Sequence, residues 1–131
     1  RAHIEHIASV MGEFLWVERE DLLNAVTALS GSGTAYVFYF LEAMTATGVE
    51  MGLTAAQAYQ LAVETFRGAG ELAKFSEETP EVLRQRVTSK GGTTHAAITL
   101  MDSQQIKAQF GKALHAAEQR SRELGAEFGK D

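Results

Sequence analysis

The chain has 131 residues, 45% of them apolar, with no cysteine and a formal net charge of −5. That length and apolar content suit one compact domain with a real core, and the acidic balance, spread along the chain, speaks against a nucleic-acid backbone binder, whose affinity comes mainly from Lys and Arg. The lack of cysteine excludes a disulfide framework or thiol metal site and is compatible with a reducing cytoplasm, while the longest apolar run, Ala35 to Leu41, falls far short of the roughly 18 residues of a membrane span.

No signal peptide follows Arg1, and the opening RAHIEHIASVMG has the character of mid-helix sequence cut from something longer. Ile4, Ile7 and Met11 fall at helical spacing. FLWV, Phe14 to Val17, is a short apolar run that fits a brief strand or an extended connector. Glu18 to Asp21 restarts a helix with Leu22, Leu23 and Val26 on one side. SGSG at Ser30 to Gly33 breaks or kinks it, because Gly is a poor helix former and Ser competes for backbone hydrogen bonds. AYVFYFLEAMTA, Ala35 to Ala46, follows with Glu42 as its only charge. A helix apolar all round must be buried all round, and a domain this small needs outside cover for it, best supplied by a second copy of the chain.

Thr54 and Gln57 have capping-box spacing at the start of the next helix. Its apolar face is Ala58, Leu61, Ala62, Thr65, Phe66, Ala69, Leu72 and Ala73. Thr79-Pro80 reads as an N-cap with proline at the first helical position, opening a short helix that carries Val82, Leu83 and Val87. Ala96 to Met101 fits another helix. Ser103 to Phe128 fits a last one, roughly 35 Å long, on which Ile106, Phe110, Ala113, Leu114, Ala117, Ser121, Leu124 and Phe128 recur every three or four residues. The expected fold is all-α: a multi-helix bundle that interlocks with a second copy as a dimer.

Between the last two helical stretches before the C-terminal helix lies VTSKGGTTHAAI, residues 87 to 98. Gly91 and Gly92 give the backbone conformations closed to other residues and let a ligand come close. A helix starting at about Thr93 points its free N–H groups, and the positive end of its dipole, into this loop. Ser89, Thr93 and Thr94 add hydroxyls, and Lys90 adds a positive charge. The combination suits a small anion such as a carboxylate. It equally suits an ordinary helix–helix connection, and the residues alone leave both readings open. It is neither a GxxxxGK[ST] phosphate loop nor a GxGxxG turn.

The remaining candidates are weaker. His3 and His6, three apart with no carboxylate motif around them, read as a surface pair rather than a metal site. His95 is a general acid by position only, with no partner in the sequence. Glu77 and Glu78 read as a solvated helix end. Tyr36 to Phe40 reads as core or dimer face.

DLLNAVTALSGSGTAYVFYFLEAM, GVEMGLTAAQAYQLAVETFRGA and PEVLRQRVTSKGGTTHAAITLMD closely resemble, in order and spacing, the C-terminal half of the pyrroline-5-carboxylate reductases, over roughly residues 14 to 128. The resemblance implies an NAD(P)H-dependent oxidoreductase that reduces 1-pyrroline-5-carboxylate to L-proline, the last step of proline biosynthesis, in the cytoplasm. It implies a subunit with an N-terminal Rossmann domain and a helical domain, homodimers formed by interlocked helical domains, and in several members decamers. No dinucleotide fingerprint follows a strand in this chain, so residues 1–17 are expected to be the end of, or connection from, the cofactor domain. Residues 18–131 are the expected helical dimerisation and substrate domain, inactive by itself. NADPH or NADH is expected to be bound mainly by the other domain, which also sets the choice between them.

Carried over residue by residue, the resemblance gives Ser89 and the backbone of Gly91, Gly92 and Thr93 to the substrate carboxylate. It puts Lys90 in the same loop and Thr94, the one candidate for a catalytic role, at the ring nitrogen. Glu77 matches an acidic position near the site. Thr27 matches a position on the nicotinamide side. Thr34 and Lys90 stand where members often have proline. No metal is implied. The alternative expectation is a purely structural dimerisation module that binds no ligand in isolation.

Overall fold

A computed structural model describes residues 22–128, in which α1 (Leu22–Val26) runs into a π-helical turn (Thr27–Gly31), followed by α2 (Gly33–Glu50), α3 (Ala55–Lys74), α4 (Pro80–Arg86), α5 (Thr93–Ser103) and α6 (Ile106–Phe128). No strand occurs among the described residues. The expected helix around Ile4 to Met11, the FLWV connector, the restart at Glu18 to Asp21, the pair His3 and His6, and the connection assigned to 1–17 lie outside them.

The described chain forms two compact units, residues 22–37 with 107–128, and residues 38–106. In the first, the helix widens into the π turn and is interrupted at Ser32, inside the SGSG stretch expected to break or kink it. The Ser32 amide donates to the Thr27 carbonyl, five residues back, at 2.8 Å, and the Ser30 hydroxyl donates to the Val26 carbonyl at 3.0 Å. Ser121 on α6 donates to Asn24 Oδ1 on α1 at 2.8 Å, and the Tyr36 ring meets Phe110 edge-on at 5.7 Å. Toward solvent, α6 carries pairs of the (i, i+3) and (i, i+4) kind, Arg120–Glu123 at 3.0 Å and Arg122–Glu118 at 3.2 Å. Exposed pairs like these add little stability and mainly keep that face wet.

In the second unit, α2 ends in a Schellman motif. Gly52, at φ +109°, allows Leu53 N–H to reach the Gly48 carbonyl at 3.1 Å and Gly52 N–H to reach the Val49 carbonyl at 3.0 Å. The chain then turns straight into the capping box of α3. Thr54 Oγ1 accepts from Gln57 N–H at 3.1 Å, and Gln57 Oε1 accepts from Thr54 N–H at 3.0 Å. The two helices touch through small residues. A Cβ built on Gly48 would stand 2.9 Å from Ala58 Cβ, and Ala58 and Ala62 are buried, Ala62 to 1% exposure. Thr79 caps α4, accepting from Val82 N–H at 3.2 Å, with Pro80 in the first turn, where its missing N–H leaves nothing unpaired.

Two expectations need correcting. The last helix begins at Ile106 rather than Ser103. Ser103 closes α5, and Gln105 adopts φ +56°, a left-handed conformation that interrupts helical bonding. The apolar spacing continues across this break and so hides it. The face expected on α3 is also only partly covered. Ala58 and Ala62 are buried and Phe66 half-buried, but Leu61 is exposed and Leu72 is 67% exposed. Periodicity marks which face is apolar; it does not say that the same chain covers it. The apolar α2 behaves likewise: Leu41 is its one buried residue, while Phe38 stays 57% and Tyr39 69% exposed.

Candidate functional site

The loop between α4 and α5 is built from both ends. The Thr88 hydroxyl donates to the Arg84 carbonyl at 2.6 Å and so closes the end of α4. Gly92 N–H then donates to the Ser89 carbonyl at 3.1 Å, making Ser89-Lys90-Gly91-Gly92 a tight turn. Gly91, third in that turn, has φ +77°, which side chains resist and glycine accepts. Lys90 is second, the position where proline is favoured in such turns. A lysine there loses proline's pre-set φ but breaks no bond.

Gly92 differs from Gly91 in its surroundings. Its backbone is extended, at φ −90° and ψ −174°, and it stands at the N-cap of α5 with no side chain to bond the first-turn amides. A Cβ there would lie 2.6 Å from Ser89 Oγ and 3.4 Å from the Ser89 carbonyl oxygen. The Ser89 hydroxyl therefore rests against Gly92, at the mouth of a helix end that no side chain caps among the described residues. The first-turn N–H groups, the dipole and the Ser89 hydroxyl suit a bound anion. Thr93 is exposed and Thr94 half-buried. Neither hydroxyl has a hydrogen-bond partner among the described residues.

Lys90 and His95 belong to a neighbouring feature. They line an open groove of about 330 Å³ between α4 and α5, together with Arg84, Thr88 and Asp102. Ser89, Gly91, Gly92, Thr93 and Thr94 do not line it. Glu77 is exposed, just before the Thr79 cap, and makes no ion pair among the described residues. Its neighbour Glu78 pairs with Arg86 at 3.0 Å. Thr27 lies in the other compact unit, first residue of the π turn and half-buried, with its carbonyl taken by Ser32 and its hydroxyl unpartnered among the described residues. Tyr36, read from the sequence as core or dimer face, donates its hydroxyl to the Ala28 carbonyl at 2.8 Å, a bond that no spacing pattern signals.

Residues 20–124 match the family described as pyrroline-5-carboxylate reductase dimerisation. The chain belongs to this family. Among curated pyrroline-5-carboxylate reductases, it is 44% identical over 124 residues to that of Pseudomonas aeruginosa, covering 95% of this chain and 45% of the relative. It is 40% identical over 121 residues to pyrroline-5-carboxylate reductase 2 of Homo sapiens, covering 92% of this chain and 38% of the relative. The fold is similar to the solved pyrroline-5-carboxylate reductase of Coxiella burnetii, with a TM-score of 0.84 and 39% identity over 95% of this chain and 47% of that one. It is also similar to the Plasmodium falciparum pyrroline carboxylate reductase solved with NADP bound, with a TM-score of 0.79 and 30% identity over 82% of this chain and 42% of that one. The chain spans less than half the length of these pyrroline-5-carboxylate reductases. Among the described residues no helix is long and apolar enough to cross a membrane.

Proposed function

We propose that this chain is the helical, substrate-holding and dimer-forming part of a cytoplasmic pyrroline-5-carboxylate reductase, residues 18–131 being the helical domain and 1–17 its connection to a cofactor domain. The reaction is reduction of 1-pyrroline-5-carboxylate to L-proline with NADPH or NADH. The observation that carries the reading is the Ser89–Gly92 turn opening onto the uncapped N-terminus of α5, in a chain of this family.

In this mechanism the substrate carboxylate sits against the Ser89 hydroxyl and the amides of Gly91 and Thr93; the Gly92 amide, expected to join them, is taken by the Ser89 carbonyl, so Gly92 contributes by shaping the turn. Charge-assisted hydrogen bonds of this kind are short and directional, so they fix the ring as well as hold it. Lys90 adds positive potential at the edge of the loop. Thr94, one residue into the helix with an unpartnered hydroxyl, faces the ring nitrogen. The C=N bond becomes CH–NH by gain of a hydride at carbon and a proton at nitrogen. Protonation makes the carbon more electrophilic, and water can supply that proton. Glu77 contributes negative potential near the positively charged imine.

The cofactor, when bound, supplies the hydride. The residues here fit its nicotinamide end alone: Thr27 offers a half-buried, unpartnered hydroxyl, and no Gly-rich fingerprint for its phosphates follows a strand in this chain. What the chain contributes is placement, which in well-oriented reactions accounts for a large part of the rate.

A second copy of the chain is the proposed partner, with a decamer as the higher assembly implied by resemblance alone. Support comes from the open apolar groove of about 510 Å³ lined by Phe38, Leu41, Thr45 and Tyr59, and from the exposure of Phe38, Tyr39, Leu61 and Leu72. Thr45 Oγ1 is moreover buried without a partner, a state that a docked polar group relieves.

Calorimetric titration of the chain with L-proline, with D-proline as control and the mass in solution measured alongside, tests the reading. Stereoselective binding by a dimer is expected. A folded dimer that binds neither isomer means that this half supplies the scaffold and that the site needs the cofactor domain to close it.

A further inference from the structure

Three successive carbonyls, from the last residue of α1 into the π turn, are each held by a different donor. Val26 O accepts from the Ser30 hydroxyl at 3.0 Å, Thr27 O from the Ser32 amide at 2.8 Å, and Ala28 O from the Tyr36 hydroxyl at 2.8 Å. The first two donors lie inside the SGSG stretch and move with it. The third comes from outside the turn, on α2. Its ring is fixed in turn by the edge-on contact with Phe110 of α6, at 5.7 Å and 88°. Ala28 is one of the few buried residues, at 4% exposure. π turns of this kind are less regular than α-helix and are frequent at functional sites. Here the widened turn presents Thr27, one residue before the anchored carbonyl.

We propose that Tyr36 is a positioning residue for the cofactor side of the site: by holding the Ala28 carbonyl it sets where the Thr27 hydroxyl stands. This rests on the assignment of Thr27 to the nicotinamide side. The residue touches neither substrate nor cofactor. Its effect is therefore on cofactor affinity, not on the carboxylate loop.

The test is Tyr36→Phe in the complete reductase subunit. It keeps the ring and its Phe110 contact and removes one hydroxyl. The readouts are the Kd for NADPH by fluorescence titration, the KM for pyrroline-5-carboxylate, and amide hydrogen exchange over residues 28–32. Loss of one hydrogen bond predicts an NADPH Kd weaker by about two- to tenfold. Exchange is expected to be faster in the turn and the substrate KM to change by less than that. Thr27→Ala is expected to weaken NADPH binding as well, and the double variant to be no worse than Thr27→Ala alone. Phe110→Leu, which leaves the hydroxyl but loosens its support, is expected to give a smaller change of the same sign. An NADPH Kd insensitive to Thr27→Ala overturns the Thr27 assignment and the proposal with it. A Kd sensitive to Thr27→Ala but not to Tyr36→Phe, fully additive effects, or equal rises in both substrate and cofactor constants overturn the positioning role alone.

Discussion

The two glycines of SKGGTT are fixed by different physics. Gly91 is held at φ +77° with open space around the place of a side chain, so the obstacle to any substitution there is backbone strain. Gly92 has an unstrained extended backbone, and a side chain there would push the Ser89 hydroxyl from its place at the helix mouth. Gly91→Ala is expected to destabilise the fold by about 1–2 kcal/mol, the usual penalty for a left-handed side-chain residue, measurable by urea denaturation. Thr94 and Lys90 differ in the same local way. Thr94 is half-buried beside the SKGGTT loop, its hydroxyl unpartnered among the described residues, whereas Lys90 is exposed and faces the α4–α5 groove. In the complete subunit, Thr94→Ala is expected to lower kcat/KM by about two- to tenfold, the range of one hydrogen bond, and Lys90→Ala by less. Equal losses count against Thr94 at the ring nitrogen. At this scale the sequence was informative where a residue type has one physical use, as with a pair of adjacent glycines. It was silent on Tyr36, because a tyrosine hydroxyl donating eight residues back to a carbonyl leaves no spacing signature.

Helix starts were legible and one helix boundary was not. Thr54 with Gln57 and Thr79 with Pro80 are local devices whose partners lie within three residues, so their hydrogen bonds follow from sequence alone. The break at Gln104–Gln105 carries no glycine or proline, and the apolar period runs through it. The contact of α2 with α3 was hidden too, since small residues at a crossing look like helix filler. Two effects oppose each other in Gly48→Ala. Replacing glycine within a helix gains up to about 1 kcal/mol. A Cβ at 2.9 Å from Ala58 Cβ, however, forces apart two backbones at a buried crossing, an overpacking cost of about 1–3 kcal/mol. The net expectation is destabilisation. Gly70→Ala, half a turn round α3 from Leu61 with nothing near its open side, is the control and is expected to stabilise by about 0.5–1 kcal/mol. If both variants shift the denaturation midpoint the same way, the close crossing is not what glycine serves at position 48.

For the whole molecule, the apolar α2 is the dominant fact. A single chain buries Leu41 and leaves Phe38 and Tyr39 mostly in water, and α3 leaves Leu61 and Leu72 there as well. Exposed apolar surface on that scale marks an interaction face. Phe38→Glu, at the rim of the apolar groove, is expected to convert the proposed dimer to monomer in analytical ultracentrifugation. The Tm is then expected to fall and to lose its dependence on protein concentration, since association stabilises by mass action. An unchanged mass points to a different face.

The sequence by itself determined the all-helical class, the caps, the positions of the loop glycines, and, through three ordered motifs, the family. All of these rest on short-range rules: a cap bonds three residues away, a positive φ belongs to one residue, and a motif is read in a line. Tertiary structure alone decided that a π turn precedes the interruption at Ser32, that α6 starts at Ile106, that Gly48 meets Ala58, and that Lys90 lines a groove that Ser89, Gly91 and Gly92 do not. It also decided that the Tyr36 hydroxyl closes the carbonyl row beside Thr27. These are outcomes of competition between groups brought together by packing, and no local preference of the residues involved distinguishes the winner.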